Sequence, residues 1–167
     1  MSHKEHQASG GSLRATCAVI TVSDTRTEET DTSGARLAAL LSQAGHDVHF
    51  RDWVPDEADQ IRDAVLRART QGCRLIITTG GTGISRRDTS FEALRALIDT
   101  EIPGFGELFR MLSFEEIGAA SMMSRAVAGL SADAILFVLP GSKNAVELAM
   151  QRLILPQIGH LLAERSK

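Results

Sequence analysis

A glycine-rich segment of ten residues has the strongest potential for chemistry in this sequence. It runs from Thr79 to Asp88 and reads TGGTGISRRD, with three glycines among four consecutive positions. Glycine lets a backbone turn tightly and direct successive peptide N–H groups into one concavity, which suits phosphate oxygens. A helix that begins after the loop would add the positive end of its dipole. The segment therefore predicts a phosphate site, although a plain tight turn would use the same glycines.

Two familiar phosphate-binding motifs do not fit this loop. The Walker A motif requires a lysine and then a serine or threonine after its last glycine, and no such pair follows Gly83. The dinucleotide fingerprint requires a further glycine three residues after Gly83, where Arg86 stands. The chemistry of the loop must therefore be inferred from its own residues.

Charged residues beside the loop have two interpretations each. Arg86 and Arg87 carry guanidinium groups that match phosphate oxygens, or they are simply solvated. Asp88 precedes a predicted helix, as Asp56 does, and a carboxylate in that position caps free N–H groups. Beside a phosphate, however, a carboxylate would need a cation between the two charges, and Mg²⁺ is the natural one. The residues alone leave capping and magnesium binding as alternatives.

The elements that must position these residues alternate between strands and helices. Apolar, β-rich runs predict buried strands over residues 14–22, 73–78 and 134–139, with a weaker strand over residues 48–53. Apolar residues recur at helical spacing between them, and Gly45 and Gly72 mark where two of the helices should end. This alternation predicts an α/β fold with a mostly parallel sheet and helices on both faces.

Local signals predict several further boundaries along the chain. Asp56 should open the second helix. Thr89 and Glu92 have the spacing of a capping box for the helix after the loop. The segment 103–107 should interrupt the helical pattern. Residues 121–130 are a candidate edge strand, and Pro156 should kink or interrupt the last helix.

Parallel strands place their carboxyl ends at one edge of the sheet, and open α/β proteins bind ligands there. Small, polar or acidic residues follow every predicted strand. These residues are Ser23 and Asp24, Pro55 and Asp56, the glycine loop, and Pro140, Gly141, Ser142 and Lys143. Turn chemistry alone would explain one or two such ends. Four together predict a crevice lined by acceptors, bare backbone amides and a few cations, with Ser124 and Arg125 as further candidates for anion recognition.

The composition suits one ordinary globular domain. The 167 residues are 43% hydrophobic and 23% charged. We expect a flexible tail over residues 1–13 and a single α/β domain over residues 14–167. The net charge of −3 argues against nucleic acid or an anionic membrane as the main partner. Without a membrane-length apolar run or a signal peptide, we expect a cytoplasmic location. Cys17 and Cys73 are expected to be buried thiols rather than zinc ligands.

The order of several motifs resembles that of the molybdenum cofactor biosynthesis family. This family includes the bacterial molybdopterin adenylyltransferases, the protein B group and the gephyrin G domain. The glycine loop with Arg87 and Asp88 is the most specific likeness. The other matching segments are Val22-Ser23-Asp24, Val54-Pro55-Asp56-Glu57, Pro103-Gly104-Phe105-Gly106-Glu107, Ser124-Arg125 and Leu139-Pro140-Gly141-Ser142. The likeness covers about residues 14–162, and the stretch 109–118 and the short C-terminus are most similar to the protein B group.

The resemblance implies a three-layer α/β/α fold and a homotrimer or homohexamer. It also implies binding of molybdopterin, a pterin with a dithiolene and a terminal phosphate, and transfer of AMP from Mg·ATP to that phosphate. Under this resemblance, Asp56 and Asp88 are the catalytic residues and the magnesium ligands. The resemblance makes Gly80, Gly81, Thr82 and Gly83 the nucleotide-phosphate loop, and it places Ser124 and Pro140-Gly141-Ser142 in the substrate region. With the candidates that the residues themselves suggest, the predicted set that binds nucleotide or pterin is Ser23, Asp24, Thr79, Gly80, Gly81, Thr82, Gly83, Arg87, Ser124, Arg125, Pro140, Gly141, Ser142 and Lys143.

Two functions fit this set of residues. In adenylyl transfer, the substrate's own phosphate attacks the α-phosphorus of ATP, so that no protein nucleophile is needed. This agrees with the lack of a convincing Ser-His or Cys-His arrangement. The alternative is a protein that binds molybdopterin, or docks other enzymes of the pathway, without catalysis.

Overall fold

The computed structural model describes residues 13–85 and 88–167. Within these ranges the chain forms one six-stranded sheet with helices packed on both faces. The three-layer α/β/α fold expected from the sequence is therefore confirmed. The predicted tail lies outside the described residues apart from Leu13, as do Arg86 and Arg87.

Four strands of the sheet are parallel neighbours, and one strand runs against them. In chain order the strands are β1 Thr16–Val22, β2 Asp47–Val54, β3 Leu75–Thr79, β4 Thr100–Glu101, β5 Val127–Ser131 and β6 Ala134–Leu139. Their order across the sheet is β2-β1-β3-β6-β5-β4. The first four of these are parallel, whereas β5 is antiparallel to both β6 and β4.

Six α-helices in the described part of the chain cover the sheet. They are α1 Thr32–Gln43, α2 Ala58–Thr70, α3 Ser90–Arg95, α4 Pro103–Ile117, α5 Lys143–Ala149 and α6 Ile158–Arg165. A 3₁₀-helix, Gly118–Met123, follows α4, and a π-helical turn, Met150–Ile154, follows α5. Helices α1, α4, α5 and α6 pack on one face of the sheet, and α2 and α3 pack on the other. None of these described helices has the length and apolar character needed to cross a membrane.

The core consists of two apolar clusters, one on each face of the sheet. Along β1, Cys17 and Val19 belong to the cluster under α1, and Ala18 and Ile20 belong to the cluster under α2. Side chains of a strand alternate between the two faces of a sheet, so a central strand of a three-layer fold is apolar at every position. This is why β1, β3 and β6 were readable in the sequence as continuous apolar runs.

Some predicted boundaries were wrong. Pro103 does not interrupt a helix but begins α4, because the first helical position needs no N–H donor. Residues 121–130 contain the end of the 3₁₀-helix and then β5, which lies inside the sheet. The edge strand on that side is the two-residue β4 instead. The predicted interruption near Pro156 is confirmed, since α5 and α6 are separate helices on either side of it.

The two cysteines are buried free thiols, as predicted. Burial, together with the neighbouring Cys73 and Asp47, raises the pKa of Cys17 to about 12. Burial also raises the pKa of Cys73 above its usual value. Across residues 13–85 and 88–167, no three His, Cys, Asp or Glu side chains are grouped so that they could hold a metal ion.

A buried carboxylate fixes the start of α1 against the first two strands. Asp31 caps α1, and its Oδ1 accepts the N–H of Gly34 at 2.8 Å. Its Oδ2 accepts hydrogen bonds from the Thr21 hydroxyl at 2.7 Å and from the Trp53 indole at 2.9 Å. The Arg51 guanidinium lies 3.7 Å from the same oxygen. Because Asp31 is only 3% exposed, these partners must replace the water that its charge has lost.

We expect Asp31→Ala to lower the free energy of unfolding by about 3–5 kcal/mol, the usual loss when one partner of a buried ionic network is removed. The substitution leaves the Thr21 hydroxyl and the Trp53 indole without their acceptor, and it leaves Arg51 without its ion-pair partner. Urea denaturation followed by circular dichroism measures the change. Asp133→Asn is the matched control, because the Asp133 side chain is fully exposed, and it should leave the midpoint unchanged. A loss below about 1 kcal/mol for Asp31→Ala would contradict the expectation.

Candidate functional site

The candidate site lies where four strands end side by side. The chain continues from β1 into α1 on one face of the sheet and from β2 into α2 on the other face. Between β1 and β3 the winding of the chain therefore reverses, and such a reversal opens a crevice at the carboxyl edge of a parallel sheet. The glycine loop follows β3 and so begins at this crevice.

Close backbone contacts fix the first half of the glycine loop. Gly80 has a φ of +98° and donates its N–H to the Leu139 carbonyl at 3.1 Å, and Gly81 has a φ of +64°. A Cβ at Gly80 would lie 2.1 Å from the Val22 carbonyl oxygen, and one at Gly81 would lie 2.1 Å from the Ser90 hydroxyl oxygen. Both positions require glycine for their backbone conformation and for the space around them.

The turn that follows β6 packs directly against the start of this loop. The Thr79 hydroxyl donates to the Pro140 carbonyl at 3.0 Å. A Cβ on Gly141 would lie 3.1 Å from the loop backbone. Ser142 caps α5 with its hydroxyl, and Lys143 is the exposed first residue of that helix. The predicted residues after β3 and β6 therefore form one continuous backbone surface.

Asp56 joins the loop after β2 to the start of α3. Its Oδ1 accepts the N–H and the hydroxyl of Ser90 at 3.1 and 2.6 Å, and those of Thr89 at 3.2 and 3.3 Å. The N–H of Asp56 donates to Asp24 Oδ1 at 3.1 Å. Asp56 therefore caps α3, and not α2 as the sequence predicted. The capping box predicted for Thr89 and Glu92 is also wrong, since Thr89 makes no side-chain cap bond.

Asp88 closes the second half of the loop. Its Oδ2 accepts the N–H of Ser85 at 2.8 Å, and a Cβ on Gly83 would lie only 2.5 Å from that oxygen. Hydrogen bonding from the Ser85 side chain, and then from its N–H, lowers the pKa of Asp88 below the usual 3.8. Partial desolvation opposes this shift, whereas the charge of Arg125 adds to it. Asp88 is therefore a carboxylate at neutral pH.

Arg125 reaches the loop from the segment before β5. Its Nε donates to the Thr82 carbonyl at 3.0 Å. Its terminal nitrogens donate to the carbonyls of Gly83 and Asp88 and to the Glu92 carboxylate. In the structure, the guanidinium faces main-chain acceptors of the loop, a contact that the sequence did not predict.

A pocket of about 390 Å³ lies beside the second half of the loop. Its lining residues are Ile84, Ser85, Asp88, Thr89, Glu92 and Arg125. Another depression, of about 380 Å³, lies at the opposite edge of the sheet, between the end of α2 and the turn that joins β5 to β6. It is remote from the carboxyl ends of the strands, so we assign the candidate site to the edge of the sheet that carries the glycine loop.

The remaining predicted residues border the same edge. Ser23 and Asp24 follow β1, where the Ser23 hydroxyl accepts two backbone N–H groups at 3.2 Å and Asp24 contacts Asp56. Ser124 is half-buried and immediately precedes Arg125. Arg87 lies outside the described residues. The structure therefore brings the described members of the predicted set to one edge of the sheet.

Two serines with structural roles at the site were missed in the sequence. Ser90 is fully buried and holds the Asp56 carboxylate, and the Ser33 hydroxyl donates to the Gly141 carbonyl at 2.7 Å. Its position as a small polar residue two places after Asp88 was the only signal for Ser90. Nothing in the local sequence distinguishes Ser33 from an ordinary helix residue.

Comparison with known proteins identifies the family. A family described as "Probable molybdopterin binding domain" matches residues 18–160, which is most of the chain. The chain belongs to this family. The resemblance found in the sequence is thereby confirmed, and membership gives the chain a role in molybdenum cofactor biosynthesis.

Individual members of the family are similar over nearly their whole length. Molybdenum cofactor biosynthesis protein B of Bacillus cereus is 49% identical over 150 residues, which are 89% of each chain. A crystal structure of a molybdenum cofactor biosynthesis protein B has a TM-score of 0.89 at 47% identity and covers 92% of this chain and 97% of its own. The tungsten cofactor synthesizing protein MoaB from Pyrococcus furiosus has a TM-score of 0.84 at 36% identity, with 92% and 98% covered.

We expect Gly80→Ala to destabilise the protein more than Gly45→Ala. Both glycines have positive φ, +98° and +84°, so each substitution carries left-handed backbone strain of about 1–2 kcal/mol. A Cβ at Gly80 also meets a carbonyl oxygen at 2.1 Å, whereas one at Gly45 meets nothing within 4 Å. Urea denaturation should show an excess loss of about 1–3 kcal/mol for Gly80→Ala. Equal losses would mean that the loop is not packed against β1.

Proposed function

We propose that the protein binds molybdopterin and transfers AMP from Mg·ATP to its terminal phosphate, as a molybdopterin adenylyltransferase. The main support is the glycine loop at the sheet crevice, with the Asp88 carboxylate lining the pocket beside it and the Asp56 carboxylate bonded to Thr89 of the same lining. Family membership supports the pterin as the ligand. The cytoplasmic location expected from the sequence stays a prediction.

The donor set fits a magnesium ion that arrives with the nucleotide. Mg²⁺ prefers oxygen ligands and is usually held by one or two carboxylates together with phosphate oxygens. The four hydrogen bonds at Asp56 fall on Oδ1, and the bond from the Ser85 N–H falls on Oδ2 of Asp88, so these bonds use one oxygen of each carboxylate. We assign Asp56 and Asp88 as the magnesium ligands. The bound ion would offset the negative charge of the triphosphate.

The proposed reaction needs positioning more than acid–base chemistry. An oxygen of the pterin phosphate forms a bond to the α-phosphorus of ATP, and the bond from that phosphorus to pyrophosphate breaks. A phosphate monoester is already largely ionised near neutral pH, so no protein base must remove a proton. The N–H groups of the loop, held in place by Gly80 and Gly81, would orient phosphate oxygens and stabilise the charge that develops on them.

We expect Asp88→Asn to slow AMP transfer by roughly 100-fold, the loss typical of removing one preorganised electrostatic contact. Pterin affinity should change much less, because the charge acts mainly on the metal–nucleotide complex. Chromatography of the adenylylated product, with an assay for pyrophosphate, measures the rate. Asp63→Asn, an exposed carboxylate on α2, is the control and should retain the wild-type rate. A wild-type rate in Asp88→Asn would remove Asp88 from the mechanism.

The second candidate is a non-catalytic protein that holds molybdopterin or docks other enzymes of the pathway. One observation favours it: Asp56 already has a structural use as the cap of α3, which would preserve this residue without any reaction. Calorimetry separates the two functions. Pterin binding without measurable Mg·ATP binding would favour the scaffold, and binding of both ligands would favour the transferase.

We also propose that the protein assembles as a homotrimer or homohexamer through an apolar stripe on α4. We define the α4 stripe as Leu108, Met111, Phe114 and Ile117 of the helix, continued by Met122 and Met123. The four helical members recur every three residues and are 47–60% exposed, and Met122 is 82% exposed. An apolar surface of this extent is rarely left uncovered on a soluble monomer.

A second copy of the chain is the occupant that best suits this surface. Leu108 belongs both to the α4 stripe and to a neighbouring groove of about 460 Å³. The apolar members of that groove include Ile102, Phe105, Leu153, Pro156 and Leu161. Projecting side chains beside an apolar groove on one surface allow copies to pack against each other around a symmetry axis.

We expect Phe114→Glu to convert the assembly to monomers, because the new charge would be buried without a partner. Size-exclusion chromatography with light scattering measures the mass. Leu66→Glu is the matched control: Leu66 is 45% exposed on α2, on the opposite face of the sheet, and its substitution should leave the mass unchanged. A monomeric wild-type protein, or an unchanged mass for Phe114→Glu, would contradict the proposed interface.

A further inference from the structure

The hydrogen bonds of Arg125 point to a role that differs from direct contact with an anion. A guanidinium has five N–H donors. In this structure Nε donates to the Thr82 carbonyl. The terminal nitrogens donate to the carbonyls of Gly83 and Asp88 and to the Glu92 carboxylate. With four partners among acceptors of the chain itself, little of the guanidinium is left for a ligand.

These contacts determine where two peptide N–H groups of the loop point. In a trans peptide, the carbonyl of one residue and the N–H of the next point in opposite directions. The described residues contain no cis peptide bond. Because Arg125 binds the carbonyls of Thr82 and Gly83, the N–H groups of Gly83 and Ile84 must point away from the guanidinium. Two consecutive amides are thereby presented on the other side of the loop.

A third peptide of the loop supports this deduction. Arg125 also contacts the Asp88 carbonyl at 3.4 Å, so the N–H of Thr89 should point away from it. That N–H donates to Asp56 Oδ1 at 3.2 Å. The predicted orientation therefore agrees with an observed contact on the side that faces the candidate metal ligand.

Two further contacts hold the guanidinium in this position. It lies 4.7 Å from the centre of the Phe91 ring, and it pairs with Glu92 one residue further along α3. The Arg125 side chain is 22% exposed, so water replaces these partners poorly. A lysine carries a single ammonium and cannot reproduce a planar group that binds several carbonyls while stacking on a ring.

We propose that Arg125 is a positioning residue that organises the glycine loop for phosphate binding. It holds the carbonyl groups of Thr82 and Gly83, whose negative ends would repel a phosphate, and it thereby turns the N–H groups of Gly83 and Ile84 to the opposite side of the loop from its guanidinium, where a phosphate would be bound. This inference rests on the proposed function of the loop as a phosphate site.

The test compares Arg125→Gln and Arg125→Lys with a matched control, Arg95→Gln. Arg95 is an exposed residue of α3 whose contact is a salt bridge to Glu101 at 3.1 Å, away from the loop. Two properties are measured in each protein. Nitrogen-15 NMR records the amide signals of Gly83 and Ile84 without ligand. Calorimetry records the affinity for the magnesium complex of α,β-methylene-ATP, which cannot transfer its adenylyl group.

We expect both Arg125 variants to shift or broaden the amide signals of Gly83 and Ile84 and to weaken nucleotide binding by at least about tenfold, as expected when charged hydrogen bonds are removed. The amide signals of β1 and β3 should keep their chemical shifts. This distinguishes a local change in the loop from unfolding of the whole domain. The Arg95→Gln control should match the wild type in both measurements. If Arg125→Gln does not fold, Arg125→Lys, which keeps the charge, decides the outcome.

Unchanged amide signals and wild-type affinity in a folded Arg125 variant would overturn the inference. A wild-type protein that does not bind the nucleotide would count against the proposed function. The amide signals would still report whether Arg125 determines the orientation of the loop amides. Shifted signals with unchanged affinity would also overturn the inference, because the orientation of the amides would then not matter for phosphate binding.

Discussion

The site depends on the close contact between the end of β1 and the start of the glycine loop, which leaves no room for a side chain. A Cβ at Gly80 would overlap the Val22 carbonyl oxygen, and one at Gly81 would overlap the Ser90 hydroxyl. The loop backbone can therefore lie directly on the carboxyl edge of the sheet. A phosphate held there would meet peptide groups rather than side chains, which is the arrangement that a backbone anion site requires.

The two aspartates have structural contacts that do not exclude the proposed metal binding. Asp56 uses one oxygen for four donors at the start of α3, and Asp88 uses one oxygen to close the loop. These bonds restrict the orientation of each carboxylate and do not use its other oxygen. A group held in this way would lose little conformational freedom on binding a metal, so the structural contacts support the proposed chemistry.

The sheet was largely predictable because its central strands are buried on both faces. Such strands have no polar alternation, and β1, β3 and β6 therefore stand out as apolar runs. The errors occurred where a local signal has two meanings. Pro103 disrupts a helix in its interior but suits its first position, and only the tertiary fold decides between these. A strand of two residues, such as β4, is too short to carry any periodic pattern.

The residues of the site were predictable from their types, but the directions in which their side chains point were not. Arg125 lies 43 residues from Thr82 in the sequence, and no pattern within the chain indicates that its guanidinium reaches that carbonyl. A cation near a phosphate loop suggests an anion contact, whereas here most of its donors face carbonyls of the chain. In the proposed function, positive charge for a triphosphate comes from the magnesium ion, from Arg86 and Arg87 of the loop, and from side chains such as the exposed Lys143 at the start of α5. The proposed role of magnesium agrees with this use of Arg125, since an arginine that binds the backbone of its own loop contributes less charge to a bound triphosphate.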